Sequence, residues 1–167
     1  VFDAQCQRIS LQSARGAYTI ANIINYPAFP LSNRLDKNHI LTKSYGVLGF
    51  PFVHALHLST QTGSELTFTT LAESSAKSWI YPGLSMLDPY NIPSPIDACP
   101  KGPFALAVLV EGKAPSFSDP QQIVPSIKLA VMGSSAMISP QTPLPQENVA
   151  FLLTLAEWLS QDSQLLS

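Results

Sequence analysis

Two serines stand where the sequence could place a nucleophile. In "SSAK", Ser74 lies three residues before Lys77, the S-x-x-K spacing in which a lysine one helical turn away activates a serine. In "GSSAM", Ser134 follows Gly133 directly after an apolar run, the position of a nucleophile elbow. Either serine would make the chain a hydrolase that acts through a covalent acyl-enzyme.

Neither serine motif is complete. The SSAK stretch lacks the companion S-D-N and K-T-G elements and lies between a strand and a loop instead of opening a long helix. The GSSAM stretch lacks the second glycine of G-x-S-x-G, and all three histidines lie upstream, whereas an elbow needs a downstream histidine. The Gly133–Ser134 turn is better explained as closing a strand, or at most as offering backbone N–H groups to a ligand. We therefore predict no catalytic residue and no enzyme, with a serine hydrolase as the weakest of three hypotheses.

The histidines do not form a metal site. His54 and His57 are three residues apart, which puts them on opposite faces of a strand, and His39 lies in a predicted loop. No acid stands beside them at ligand spacing, and the chain has no G-x-G-x-x-G, P-loop or H-E-x-x-H motif. We predict no metal and no cofactor.

The two cysteines, Cys6 and Cys99, allow two interpretations. In an oxidising compartment a disulfide between them would close a loop of about 93 residues and stabilise the fold by roughly 4 kcal/mol. Alternatively both are unpaired, small hydrophobic residues. The sequence leaves both alternatives open.

Three aromatic residues near the proline-rich region could bind a ligand. Trp79, Tyr81 and Tyr90 carry ring faces that stack on sugars, which suggests a module that binds a glycan or another small ligand. The alternative is that Trp79 packs on the sheet while the two tyrosines pin a loop. The predicted ligand-binding residues are therefore these three together with Gly133 and Ser134.

Composition limits the class of protein. The chain has 167 residues, the size of one domain, which we place at 1–167. Only 12% of its residues are charged, against about 25% in a usual soluble domain, while 46% are hydrophobic. A net charge of −2 gives no basic field for nucleic acid, so we predict no nucleic-acid partner. The sparse charge instead suggests contact with a protein or ligand.

No segment resembles a membrane anchor. The chain starts at Val1 without a methionine and contains no signal-peptide pattern and no apolar stretch of about 18 residues. We predict a soluble piece excised from a longer protein.

Fifteen prolines divide the chain into short elements. "VFDAQCQRISLQ" predicts an edge strand, "AYTIANIINYPAFP" an apolar run stopped by prolines, and "LSNRLDKNHILTKSYG" a loop or helical turn. "VLGFPFVHALHLS" and "ELTFTTLAES" predict strands, whereas Tyr81 to Pro103 has no period and predicts an irregular excursion. "FALAVLVEG" and "IKLAVMGSSAMIS" predict buried strands before a C-terminal helix, an α/β arrangement.

The C-terminal helix has an unusually wide apolar face. From Val149 onward, apolar residues cover roughly 220° of the helix surface, an arc that predicts burial on more than one side. Pro145 fits its first turn, and Glu147 lies near the positive end of the helix dipole.

The order of these motifs resembles a known family. "FALAVLVEGKAPSF", "IKLAVMGSSAMIS" and "NVAFLLTLAEWLSQDSQLLS" are similar to the end of the extracytoplasmic region of gliding-motility-type ABC transporter auxiliary components. Upstream, "NYPAFP", "NHILTKSYGVLGFPFVHAL" and "LTFTTLAESSAKSW" resemble that family's Tyr-Pro segment, phenylalanine-rich strand and Ser-rich stretch closing on tryptophan. The family's early βα units are not present, so the chain resembles its second half.

The resemblance implies a fold and a partner. It implies a mixed sheet with helices packed on it, similar to part of a class I glutamine amidotransferase-like, flavodoxin-like three-layer domain without catalytic residues, as in the gliding and intraflagellar-transport group. It implies a non-enzymatic accessory domain at the periplasmic or extracytoplasmic face of the inner membrane, with ABC permease and ATPase subunits as partners. It also implies that the domain is excised from a larger, membrane-anchored protein and meets the membrane only through anchors outside this chain. The incomplete sheet allows completion by another copy, a homo-oligomer. The resemblance names no functional residue.

Overall fold

In the computed structural model of the chain, the described residues are 1–15, 18–59, 65–81, 87–92, 94–116, 118–119, 121–139, 142 and 144–160. They contain nine strands, one 3-10 turn and one α-helix. In chain order these are β1 Phe2–Asp3, β2 Cys6–Arg15, β3 Tyr18–Ser32, β4 Arg34–Leu35, β5 Leu48–Gly49, β6 Glu65–Glu73, β7 Ser78–Trp79, β8 Ala105–Pro115, β9 Ile123–Met132, the 3-10 turn Ser135–Ile138 and α1 Gln146–Ser160.

The described strands form three sheets. The largest has four strands in the order β4-β6-β8-β9, while β2, β3 and β5 form a second sheet and β1 pairs with β7. Every one of these pairs is antiparallel. The combination of strands and helix confirms the α/β class. The prediction of a mixed sheet with several helices differs from this arrangement of antiparallel pairs and one described α-helix. The connection from β8 to β9 is short, and a short connection allows only antiparallel neighbours.

Strand β8 is the centre of the four-stranded sheet. Its residues Leu106, Ala107, Val108 and Leu109 are all buried, as the continuous apolar run predicts for a strand covered on both faces. Gly112 then adopts a φ of +134°, beside the register shift in the β8–β9 pairing. A Cβ there would lie 2.0 Å from the carbonyl oxygen of Glu65, so only glycine fits this position.

The helix α1 covers one face of that sheet. Phe151 and Leu155 are buried in the larger of two core clusters, which also holds Leu71, Leu109 and Met137. Pro145 immediately precedes the helix, and Glu147 lies in its first turn, as predicted. A smaller cluster, which we call the second core, contains Phe2, Tyr26, Ala28, Phe29, Trp79 and Cys99.

The apolar arc of α1 is buried against more than one element, as predicted, but not along its whole width. Val149 and Leu153 are each 62% exposed, although they belong to the same apolar arc as Phe151 and Leu155. Helix α1 packs on the four-stranded sheet and on β5, and the side of the arc that turns away from both has no described element to cover it.

Two strand predictions also differ from the structure. The first proline-containing run does not stop at its prolines, because β3 continues through Pro27 and Pro30, where the pairing with β2 shifts register and needs fewer N–H donors. The predicted strand over "VLGFPFVHALHLS" is reduced to β5 and an isolated bridge between Leu56 and Ala105. Pro51 and the positive φ of Phe52 turn the chain between them.

Candidate functional site

An apolar groove lies between the 3-10 turn and the N-terminal half of α1. It encloses about 490 Å³, and its most exposed apolar residues are Ile138 at 71% and Val149 and Leu153 at 62% each. Its lining residues are Met137, Ile138, Ser139, Thr142, Leu144, Pro145, Gln146, Val149, Leu152 and Leu153. None of these side chains is charged, so the groove favours an uncharged, apolar occupant.

Asn148 fixes the helix side of the groove. Its amide donates from Nδ2 to the carbonyl oxygen of Gly49 at 2.8 Å, and its Oδ1 accepts the N–H of Gly49 at 2.8 Å. A Cβ on Gly49 would lie 2.9 Å from Cδ of Pro145, so the backbone at residue 49 passes directly beneath the start of the helix. With Asn148 facing the core, Val149 must face outward, because successive helical residues are about 100° apart.

The 3-10 turn forms the other wall of the groove, and it is held by Gly133 and Ser134, two of the residues predicted to bind a ligand. Gly133 donates its N–H to Leu106 and accepts from the N–H of His54, and a Cβ there would lie 2.0 Å from the His54 carbonyl oxygen. Ser134 is buried and donates from its hydroxyl to the carbonyl of Pro51. Both residues therefore anchor the 3-10 turn that presents Ile138, and a direct ligand contact by either stays a prediction.

The predicted aromatic site is divided between the interior and the surface. Trp79 is 6% exposed and stacks on Phe2 with ring centroids 5.8 Å apart, and Tyr81 packs against the second core. Tyr90 is 62% exposed. Stacking of a sugar on Trp79 would require its ring to leave Phe2, whereas Tyr90 is accessible as it stands. Ligand binding by these three residues stays a prediction.

A second cavity is lined in part by Trp79. It encloses about 390 Å³ and is lined by Ala4, Ala76, Lys77, Ser78, Trp79, Pro95 and Lys101. Among the described residues, Nε1 of Trp79 is the buried side-chain nitrogen without a hydrogen-bond partner. Such an unpaired buried donor costs free energy and is uncommon in native folds.

The serines of the SSAK stretch tie the N-terminal strand to the sheet. Ser74 is fully buried, accepts the N–H of Phe104 at 2.8 Å and shares a hydrogen bond of 2.7 Å with the Ser78 hydroxyl. Ser75 donates its N–H and its hydroxyl to the carboxylate of Asp3, at 2.7 and 2.5 Å. These hydroxyls are occupied in structural bonds, and a substrate cannot reach Ser74 in this conformation.

Both cysteines are free thiols in the structure. Cys99 is buried in the second core, and Cys6 is half-buried at the start of β2. Burial and then the negative charge of Asp3 raise the pKa of the Cys6 thiol, against a smaller opposing effect of a backbone hydrogen bond from Tyr26. Which pairing the thiols adopt in an oxidising compartment stays a prediction.

Searches for metal sites and membrane spans give two further findings. No group of three His, Cys, Asp or Glu residues within the described ranges could hold a metal ion. Over the same ranges, no helix is both long and apolar enough to cross a bilayer.

Comparison with known proteins identifies the family. A family model described as an ABC-type uncharacterized transport system matches residues 1–163. The chain belongs to this ABC-type transport family. No curated protein and no solved structure gives a significant match. Membership in the transport family confirms the resemblance noted in the C-terminal motifs and assigns the chain an accessory role in an ABC-type system.

Sequence reasoning missed the residue that does most to shape the groove of this transport-family protein. In the sequence, Asn148 is only the first residue of the "NVAFLLTLAEWLSQDSQLLS" motif. A polar amide in the first turn of an otherwise apolar helix was the available signal, since a buried amide must find partners. Its partner, Gly49, is 99 residues away in the chain, so the pairing was not readable from the sequence.

Proposed function

We propose that this domain is a non-enzymatic accessory module that binds another component of its ABC-type transport system through the apolar groove. The observation that carries the proposal is the outward face of α1, where Val149 and Leu153 lie beside Ile138 without a covering element among the described residues. Contiguous apolar surface of this kind, bordered by polar residues, is typical of interaction sites.

The chemistry of the groove favours a protein segment as its occupant. Complete burial of a valine, leucine or isoleucine side chain contributes about 1.5 to 3 kcal/mol, so three such residues supply a useful part of a binding free energy. The lining carries no charge that a charged peptide could pair with. An apolar helix or extended segment of the permease subunit fits these properties, and membership in the family makes this subunit the natural partner. The ATPase subunit would join the same complex through the permease.

The groove can be tested by charge insertion. Val149→Glu and Leu153→Glu place carboxylates on exposed positions, so the variants should fold, yet each should abolish co-purification with the co-expressed permease and ATPase. Ala150→Glu is the matched control, because Ala150 is exposed on the same helix but does not line the groove. Full retention of the complex by both groove variants would remove this site from the proposal.

The proposal extends to the placement of the domain. We propose that it lies on the periplasmic or extracytoplasmic side of the inner membrane, held by anchors outside this chain, in a protein related to gliding-motility auxiliary components. Fusions of the full gene product to alkaline phosphatase should be active and fusions to a cytoplasmic reporter inactive. A full gene without membrane anchors, in a genome position without ABC transporter genes, would contradict this placement. The amidotransferase-like three-layer fold is proposed for the longer domain only, and its experimental structure would test it.

A second candidate function is suggested by the cavity beside Trp79. Lys77, Lys101 and Trp79 line it, so an acidic sugar or another small anion with an apolar face suits it better than a neutral glycan. In a Trp158→Phe variant, Trp79 is the remaining tryptophan and its fluorescence reports the site. Glucuronate should change that fluorescence saturably while glucose does not, and a flat response to both would end this candidate.

A further inference from the structure

The outer edge of the four-stranded sheet is open. Strand β9 lies last in the order β4-β6-β8-β9, and no other described strand pairs with its far side. Gly133 donates its N–H to Leu106, and Val131 lies opposite Val108. Because hydrogen-bonded positions alternate along an antiparallel pair, Val131 and Leu129 turn their backbone groups towards β8. Lys128, Ala130 and Met132 therefore direct theirs away from the sheet.

This edge lacks the usual protection against pairing with another strand. Natural edge strands carry charges, prolines or bulges that block a second chain. In β9 the register shift and Pro125 are confined to the first half, and residues 127–132 pair regularly with β8. Lys128 is the one charged residue of the strand, and its ammonium lies 4.7 Å from the centroid of the Trp158 ring in its own chain. Its charge is therefore directed to α1.

The sheet face opposite α1 is also apolar along this edge. Ala130 and Met132 pack against the larger core, so Leu129 and Val131 point to the other face. Leu129 is 52% exposed, and Val131 is half-buried. This face of β9 carries no charge, so two copies of it can meet without repulsion.

We propose that β9 pairs with β9 of a second copy of this chain across a twofold axis at Ala130, which joins the two sheets into one of eight strands. In this register Lys128 lies opposite the partner's Met132, so the two lysines are not opposed. On the other face, Leu129 meets the partner's Val131 and loses its exposure. An axis at Lys128 would oppose like charges, which destabilises a cross-strand pair.

Oligomeric state tests the proposal directly. The wild-type chain should sediment with twice its mass of 18.1 kDa, and Leu129→Glu should raise the dissociation constant of the dimer about 100-fold, because two carboxylates meet near the axis. Ile123→Glu is the matched control: Ile123 is 54% exposed on the same strand but lies outside the paired segment, so the dimer should persist. Circular dichroism verifies that both variants are folded.

Two further variants test the partner and the register. A mixture of the Leu129→Glu and Leu129→Lys chains should restore association, since unlike charges then meet near the axis. Ala130→Cys should give a cross-chain disulfide, because opposite Cα atoms in a hydrogen-bonded pair are about 5.5 Å apart. Lys128→Cys should not, because its two copies lie about 13 Å apart along the strands. Peptide mapping separates these bridges from any that involve Cys6 or Cys99.

Several results would overturn the proposal. A monomeric wild-type chain at high micromolar concentration would do so, as would equal effects of the Leu129 and Ile123 substitutions. Cross-linking at Lys128 instead of Ala130 would contradict the register. The groove variants Val149→Glu and Leu153→Glu should leave the dimer intact. A failure of the dimer proposal can therefore be told apart from a failure of the proposed groove function.

Discussion

Asn148 connects two parts of the chain that the sequence keeps far apart. Both polar ends of its amide are satisfied by the backbone of Gly49, and the side chain is fully buried. The Asn148 amide thus makes with Gly49 the same pair of hydrogen bonds that an opposite residue of an antiparallel strand would make. Asn148 thereby fixes α1 at its first turn, and the core packing of Phe151 and Leu155 fixes the same face of the helix further along.

Replacement of Asn148 by alanine should destabilise the fold by about 2 to 4 kcal/mol, because a buried N–H and a buried carbonyl both lose their partner. Urea unfolding would measure the change. Asn22→Ala, at an exposed position of β3, is the control and should stay within about 0.5 kcal/mol of wild type. Equal stability of the two variants would show that Asn148 does not hold the helix.

The thiol of Cys6 should react slowly at mildly alkaline pH. Burial and Asp3 raise its pKa above the usual value of about 8.5, so less thiolate is present than in a free cysteine. Because the folded pKa is the higher one, this thiol stabilises the fold fully below the unfolded pKa, and the contribution disappears as pH rises through the folded pKa. Iodoacetamide rates measured against pH should therefore show a midpoint above 8.5.

The Cys6→Ser variant serves as the control for this measurement, since it reports the reactivity of buried Cys99 alone. A midpoint at or below that of free cysteine would mean that Asp3 and burial do not act on the Cys6 thiol as the structure indicates.

At the scale of elements, α1 shows how a wide apolar arc can be divided between two roles. The side with Phe151 and Leu155 packs on the sheet, while the side with Val149 and Leu153 forms the groove. The apolar pattern predicted the helix and its width correctly. It did not indicate which part of the arc was buried, because a residue's partners are set by the sheet and not by its neighbours in the helix.

Two alanine substitutions in this helix should separate those roles. Phe151→Ala should cost about 3 to 5 kcal/mol through the cavity that it leaves, whereas Leu153→Ala should change stability by less than about 1 kcal/mol. Thermal or urea unfolding measures both. A comparable loss at the two positions would indicate that the groove is filled within the same chain.

At the scale of the whole molecule, two of the exposed apolar surfaces adjoin the same core. The groove beside α1 and the open edge of β9 belong to one sheet-and-helix unit. The groove is lined by no charged residue, and the one charge of β9, on Lys128, is directed to Trp158 of α1. The accessory role assigned by the family agrees with this distribution, because a protein that works by binding other components needs such surfaces.

The sequence by itself determined the C-terminal half in outline, the absence of long helices before residue 146 in the described chain, and the family. Local patterns suffice for these, since a continuous apolar run and a 3.6-residue period reflect burial within a single element. Only the tertiary structure decided that the hydroxyls of Ser74 and Ser134 are buried in hydrogen bonds within the chain, that β3 continues through its prolines and that Asn148 meets Gly49. Each of these features depends on contacts between residues distant in the chain. Local periodicity does not tell which distant backbone group will pair with a buried polar side chain, or which apolar face will stay uncovered.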